Sequence, residues 1–132
     1  SYCISVNAFE VYDSVWNLLQ HSSIEVRIRA IQTLSALENN QTIPAFITIF
    51  SEHPTEVQSE IIKTMEISRD QRSVDFLKEQ LLNHLVINVR ISAAEALFSL
   101  GHQNYLSELI DLESSSDELI KIIKHALQER IC

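Results

Sequence analysis

Three histidines recur at nearly constant spacing and are the residues most suggestive of metal chemistry. His21, His53 and His84 are separated by 32 and 31 residues. Imidazole is a common ligand of zinc and other transition metals, so a ladder of such rings could hold metal ions. Neither HExxH nor Cys-x-x-Cys accompanies them. A histidine near the end of a helix more often interacts with the helix dipole and the last carbonyls, and we expect that role here. We therefore assign no metal ligand and no cofactor.

The carboxylates do not form a pattern typical of a catalytic centre. Glu56 with Glu60, and Asp117 with Glu118, are placed as acids of a first helical turn or of a solvated helix face. A hydrolase would need a pair matched for general acid and general base catalysis, and no such pair stands out.

Serine and cysteine do not supply a nucleophile by sequence context. The serine run 114–116 lacks the G-x-S-x-G setting of a nucleophile elbow and is typical of a helix cap. Cys3 and Cys132 have no neighbouring base or strongly positive surroundings in the sequence. The sequence therefore predicts no catalytic residue and no enzymatic activity for this chain, whereas the activity of a longer parent protein stays open.

The elements that position these side chains are helices, because apolar residues recur in steps of 30 to 32 residues. Positions seven apart within a unit share one helix face. Such recurrence indicates an array of repeats rather than one irregular fold. The recurring sets are Tyr12, Ile43, Val74 and Tyr105; Leu19, Phe50, Leu81 and Leu112; Trp16, Ile47 and Leu109, with Lys78 as the lapse; Val26, Val57, Val89 and Leu119; Ala30, Ile61, Ala93 and Ile123; and Leu34, Met65, Leu97 and Leu127.

Each unit is predicted to contain two helices, which we call A and B. The A helices are expected at 8–20, 42–52, 72–84 and 103–113, and the B helices at 24–37, 55–68, 87–100 and 117–130. Capping boxes are predicted from Ser22 to Glu25, from Thr55 to Gln58 and from Ser115 to Glu118. Gly101 is placed to end the third B helix in a left-handed conformation.

The residues Val26-Arg27, Ala30 and Leu34, and again Val89-Arg90, Ala93-Ala94 and Leu97, resemble the HEAT-like repeat of about 30 residues. This short type occurs in bilin-lyase-related proteins and many bacterial scaffolds. The resemblance covers nearly the whole chain and implies an all-α fold, a right-handed α-solenoid of four helical hairpins. The chain departs from the pattern where the arginine is replaced by Gln58 and Ile120, and where Gly101 alone ends a B helix.

Composition limits the partners. The formal net charge is −8 over 132 residues, with one glycine and two prolines. An acidic chain without a basic stripe is a poor match for nucleic acid, and no apolar run approaches the roughly 20 residues that span a bilayer. We predict one HEAT-like repeat domain over 1–132, with repeats at 8–37, 42–68, 72–100 and 103–130. The chain lacks an initiator Met, so we expect a fragment of a longer protein. Its oligomeric state is open; its compartment is open too, with a cytoplasmic location slightly favoured.

The resemblance implies that the B helices line a concave surface, which is the usual binding surface of a solenoid. One recurring set consists of Val26, Val57, Val89 and Leu119. Residues two, six and nine positions after each member of this set are expected to point outward. We predict a partner-binding surface that includes Ile28, Gln32, Lys63, Ile91, Glu95, Phe98 and His125. Ile28, Ile91 and Phe98 are then exposed apolar side chains among charges, a combination typical of partner sites. The alternative, that these three belong to the core, is left open.

The sequence thus favours a non-enzymatic scaffold that binds a protein or peptide. The alternative is a bilin-lyase-related accessory or catalytic subunit that holds a tetrapyrrole chromophore, which needs a roomy apolar pocket with polar groups nearby. A third hypothesis is a structural spacer without a dedicated partner, which a fully polar concave face would favour.

Overall fold

A computed structural model of the protein describes residues 11–37 and 39–131. The predicted helix start at Ala8 and both cysteines, Cys3 and Cys132, lie outside the described residues. The chain divides into two compact units, Ser1–Thr64 and Met65–Cys132. The prediction of one repeat domain over 1–132 stays a prediction.

The described residues contain eight α-helices and no strand, which confirms the all-α prediction and the paired A and B helices. The odd-numbered helices are A helices and the even-numbered ones are B helices. None of the described helices is long and apolar enough to cross a lipid bilayer. The helices are α1 (11–17), α2 (Ile24–Ala36), α3 (Thr42–Ile49), α4 (Thr55–Ser68), α5 (Val74–Asn83), α6 (Ile87–Ser99), α7 (Gln103–Asp111) and α8 (Asp117–Ile131).

The A helices are shorter than predicted because several of their ends tighten into 3₁₀ turns. Such turns form at Leu18–Gln20 after α1 and at Phe50–Glu52 after α3, while Gln71–Ser73 precedes α5. A 3₁₀ turn at a helix end bonds backbone groups that an α-helix would leave unpaired.

Serine side chains begin two of the B helices, as the sequence predicts. The Ser23 hydroxyl accepts from the Val26 N–H at 3.4 Å, so the cap of α2 lies one residue after the predicted Ser22. The Ser116 hydroxyl accepts from the Leu119 N–H at 3.1 Å at the start of α8, so this cap also lies one residue after the predicted Ser115. Each bond satisfies one of the amides that a helix start leaves without a partner.

Gln58 has a different role from the predicted one at the start of α4. Its side chain is buried, and Nε2 donates to the carbonyl of Phe50 at 3.1 Å. Gln58 thus ties the first turn of a B helix to the end of the A helix before it, in the same two-helix repeat.

Left-handed residues end two of the B helices. Gly101 has φ +96°, and the N–H groups of Gly101 and His102 donate to Phe98 and Leu97 at 3.0 and 2.9 Å. This pair of bonds is a Schellman motif, so the predicted role of Gly101 is confirmed. The equivalent residue after α4 is Arg69, which adopts φ +57° without the freedom of glycine.

The hydrophobic core is built from the recurring apolar sets, which we also call columns. Most predicted members are at most 8 % exposed, and the alanines let helices approach closely. Since one amphipathic helix cannot bury its apolar face alone, each hairpin depends on its neighbours. The confirmed core residues are Ile43, Val74, Leu19, Phe50, Leu81, Val57, Val89, Leu119, Ala30, Ile61, Ala93, Ile123, Leu34, Met65, Leu97 and Leu109.

Two positions depart from their columns for visible reasons. Lys78 replaces an apolar residue, and its ammonium lies 4.3 Å from the ring centroid of Tyr105, a cation–π contact. Leu112 is 50 % exposed, because α7 ends at Asp111 and the extended backbone of Leu112 leaves the helix. A further buried column, Val15, Phe46 and Leu77, keeps the same step of 31 residues and was missed from sequence.

Ala93→Asp should strongly destabilise unit 2. Ala93 is fully buried on α6, which packs against α5 and α8, so the new carboxylate would lose its water without gaining a partner. We expect the free energy of unfolding in urea to fall by about 3 kcal/mol or more. Ala36→Asp, at the exposed last residue of α2, is the control. An unchanged urea midpoint for Ala93→Asp would contradict the assigned core.

Arg69→Gly should stabilise the protein. A left-handed residue with a Cβ costs roughly 1 kcal/mol, and glycine removes that cost. Gly101→Ala is the matched opposite: a Cβ there meets no atom within 4 Å, so only the backbone conformation opposes it. Thermal unfolding should show a higher melting temperature for Arg69→Gly and a lower one for Gly101→Ala. Shifts of the same sign would refute this account of the helix ends.

Candidate functional site

The histidines that suggested metal chemistry serve the turns between A and B helices. Nδ1 of His21 accepts from the Ser23 N–H at 2.9 Å, and Nδ1 of His84 accepts from the Val86 N–H at 3.0 Å. A backbone N–H can only donate, so these nitrogens are unprotonated acceptors. Each of these two rings therefore bonds an amide just before the next helix, a contact that the sequence did not predict.

His53 lies at the equivalent turn but is used differently. It is 9 % exposed, and its Nδ1 is buried without a hydrogen-bond partner among the described residues. Burial lowers the pKa of His53, the positive charge of Arg27 lowers it further, and Glu52 opposes both. The neutral ring is therefore the form that the folded unit 1 favours.

No three histidine, cysteine, aspartate or glutamate side chains come together as a metal-binding group anywhere in 11–37 or 39–131. His21, His53 and His84 are instead explained by the turns they occupy. The spacing of these three histidines reflects the repeat, because an equivalent turn recurs once in each two-helix repeat.

The two arginines of the repeat motif bond backbone carbonyls that precede their own helices, Arg27 in the turn before α2 and Arg90 in α5. Nε of Arg27 donates to the carbonyl of His21 at 2.6 Å, and Nε of Arg90 donates to that of Leu81 at 2.8 Å. Arg90 also pairs with Glu118 of α8 at 2.7 Å, and its side chain is only 11 % exposed. Arg90 thus joins α5, α6 and α8 within unit 2.

The predicted binding residues all lie outside the buried core. Gln32, Lys63 and His125 are exposed, whereas Ile28, Ile91, Glu95 and Phe98 are half-buried on α2 and α6. Ile28, Ile91 and Phe98 are thus neither fully exposed, as expected for a binding surface, nor fully buried as core residues, and the alternative stays open. Gln32 donates to Glu60 of α4 at 3.2 Å, so it already serves a contact between two B helices of unit 1.

Two of the predicted residues meet in a groove between α6 and α8, both in unit 2. The groove has a volume of about 380 Å³. One wall is formed by Ile87 and Ile91 of α6, one turn apart; the other is formed by Glu118, Lys121, Ile122 and His125 of α8. We call this feature the α6/α8 groove. Glu95 and Phe98 lie further along α6 and do not line it, and the residues of unit 1 form a separate group.

The spacing of the α8 residues explains why they share one wall. Residues 118, 121, 122 and 125 stand at i, i+3, i+4 and i+7, which is one face of a helix over two turns. Ile122 is 4 % exposed and belongs to the packed side of that face. Glu118, Lys121 and His125 remain exposed along its edge. We call the apolar lining residues Ile87, Ile91 and Ile122 the floor of the groove, and the polar residues Glu118, Lys121 and His125 its rim.

Apolar side chains continue beyond the groove at the turn between α5 and α6. Leu85 is 96 % exposed, Val86 is 37 % exposed and Ile87 is 46 % exposed, and Leu82 on the last turn of α5 is 41 % exposed. Contiguous exposed apolar residues of this kind mark sites of protein interaction. We call Leu82, Leu85, Val86 and Ile87 the apolar turn.

Sequence reasoning missed the apolar turn, Ile122 and the role of Lys121 in the groove. A signal for the turn is present: Leu85, Val86 and Ile87 are consecutive apolar residues between two helices, where polar residues are usual. Ile122 gave no separate signal, because the sequence does not show whether Ile122 or the adjacent Ile123 faces a neighbouring helix.

The paired helices and their recurring core define an α-helical repeat protein. Residues 13–97, more than half of the chain, match a family model described as HEAT repeats. The chain therefore belongs to the HEAT-repeat family, whose members are generally scaffolds for protein interaction. No curated protein and no solved structure matches the chain. The bilin-lyase-related subtype stays a prediction.

The buried His53 should make the stability of the protein depend on pH. Its pKa in the folded state lies below the ordinary value of 6.5, so folding disfavours its protonation. The contribution of the neutral ring is complete above about pH 6.5 and is lost as the pH falls through that value toward the folded pKa. We expect the free energy of unfolding in urea to fall between pH 7 and pH 5, and to fall less in His53→Leu. Parallel pH profiles for the two proteins would contradict this assignment.

Proposed function

We propose that this chain is a non-enzymatic interaction module, and that the α6/α8 groove with the adjoining apolar turn is where a segment of a partner protein binds. The observation that carries the proposal is the nearly complete exposure of Leu85, 96 %, two residues before Ile87, which lines the groove. Exposing such a side chain to water is unfavourable, and a partner that covers it gains roughly 1.5–3 kcal/mol.

The shape of the groove supports a helical or extended segment as the occupant. Its apolar residues lie one helical turn apart on α6 and face the rim of α8, so side chains of a bound helix at i, i+3 and i+4 could enter it. An apolar centre with a polar rim is the arrangement typical of protein interfaces. The membership of the HEAT-repeat family supports the same class of partner.

The chemistry of the groove supports binding rather than catalysis. The carboxylate of Glu118 is held by Arg90 at 2.7 Å, so it is engaged in a structural contact between α6 and α8. The chain as a whole carries a charge of −8, which supports a protein partner over nucleic acid.

Ile87→Asp should abolish binding while it preserves the fold. Ile87 is the first residue of α6 and is 46 % exposed, and an acid is favourable in a first helical turn. A displayed library of random helical peptides would be selected on the wild-type protein, and the enriched peptides measured by fluorescence anisotropy. We expect Ile87→Asp to raise the Kd at least about tenfold, as expected when an apolar contact of more than about 1.4 kcal/mol is lost.

The control is Ile24→Asp. Ile24 is the first residue of α2, is 37 % exposed and does not line the groove. It should change the Kd by less than about twofold, a change of about 0.4 kcal/mol. Equal effects of the two variants, or none from Ile87→Asp, would show that the groove is not the binding site.

A further inference from the structure

We infer that the segment held in the α6/α8 groove is an amphipathic helix that carries an acidic side chain, and that Lys121 binds this acid. The inference rests on the proposed function and adds the chemistry of the partner. It is argued from the charges along the rim and from the side chains that form the floor.

The negative charge in the groove is already compensated. Glu118 pairs with Arg90 at 2.7 Å, and Arg90 is held in place by its second bond, from Nε to the carbonyl of Leu81 at 2.8 Å. With 11 % of its side chain exposed, Arg90 cannot turn toward a partner without leaving the Leu81 carbonyl unbonded. Glu118 is therefore fixed by the fold and is a poor attachment point for a basic partner residue.

The positive charge of Lys121 is not held in an ion pair by the described part of the chain. Lys121 lies one turn after Glu118 on the same wall, it is exposed, and within 11–37 and 39–131 it forms no ion pair. A lysine at the edge of an apolar groove can lay its methylene stem against that surface and extend its ammonium to the rim. An acidic partner residue would meet it there, whereas a basic one would be repelled.

The floor of the groove determines which apolar residues the partner helix needs. Ile87, Ile91 and Ile122 offer three aliphatic side chains within about two turns of helix, which matches an apolar stripe of similar length. An acid beside that stripe completes the complementarity. Since the chain carries a net charge of −8, general attraction would favour basic partners, so a preference for an acid would be specific to Lys121.

Selection from the same library of random helical peptides tests the inference. Peptides enriched on the wild-type protein should carry Asp or Glu at a constant distance from their apolar residues. Lys121→Glu should raise the Kd of such a peptide about tenfold, and replacing the acid of the peptide by Lys should restore affinity for that variant. The affinity of the wild-type pair should fall as NaCl is raised from about 0.05 to 0.5 M, because the rim is open to screening.

Lys124→Glu is the matched control. Lys124 is an exposed lysine on the same helix but does not line the groove, so the same change of net charge should alter the Kd by less than about twofold. Equal effects of Lys121→Glu and Lys124→Glu would overturn the inference, because they would show general charge attraction.

The outcomes separate this inference from the proposed function. Peptides that depend on Ile87 but show no acidic preference and no response to Lys121→Glu would overturn the inference and leave the groove as a binding site. Peptides that do not depend on Ile87 would overturn both. Acidic enrichment, with loss on charge reversal and recovery on the reciprocal swap, would support the inference.

Discussion

Burial of the B-helix face against the neighbouring helices is the interaction on which the structure depends. A helical hairpin of about 30 residues has too little apolar surface to remain folded alone, so packing on neighbouring helices stabilises it. The small or branched residues of one recurring column are almost completely removed from water: Ala30, Ile61, Ala93 and Ile123. The repeated step in sequence follows from this, because each hairpin buries the same face.

Polar residues are used chiefly to close the joints that this packing creates. Each A helix ends beside the start of a B helix, and side chains bond the backbone groups left over there. Gln58 and Arg90 donate to the carbonyls of Phe50 and Leu81, while His84 accepts from an amide. The turn between the two helices of a hairpin is short, so some backbone groups at the helix ends reach neither water nor another backbone group and are bonded by side chains. His84 and Arg90 thus serve as structural links at these turns.

The α6/α8 groove forms where this packing leaves apolar surface uncovered. Ile87 and Ile91 are on α6 and Ile122 is on α8, two B helices that pack against each other, so the groove lies along their contact. Arg90 and Glu118 fix the two helices at one end of it. A preformed groove of this kind can bind a partner at little conformational cost, which suits a scaffold.

The amino-acid sequence by itself determined the class of fold, the number of helices and most of the core. These features follow from local periodicity: an apolar column with a step near 31 residues, a serine before a helix and Gly101 after one are visible along the chain. The tertiary structure decided how the polar and surface residues are used. The angle and distance between helices decide whether Arg90 reaches Glu118 and whether Gln58 faces Phe50. They also decide whether Ile91 shares a groove with Lys121 or with Glu95. A one-dimensional pattern does not contain this information. The same limit explains why Ile91 and His125 were predicted as surface residues, while the groove that unites them with Ile87, Lys121 and Ile122 required the packed helices.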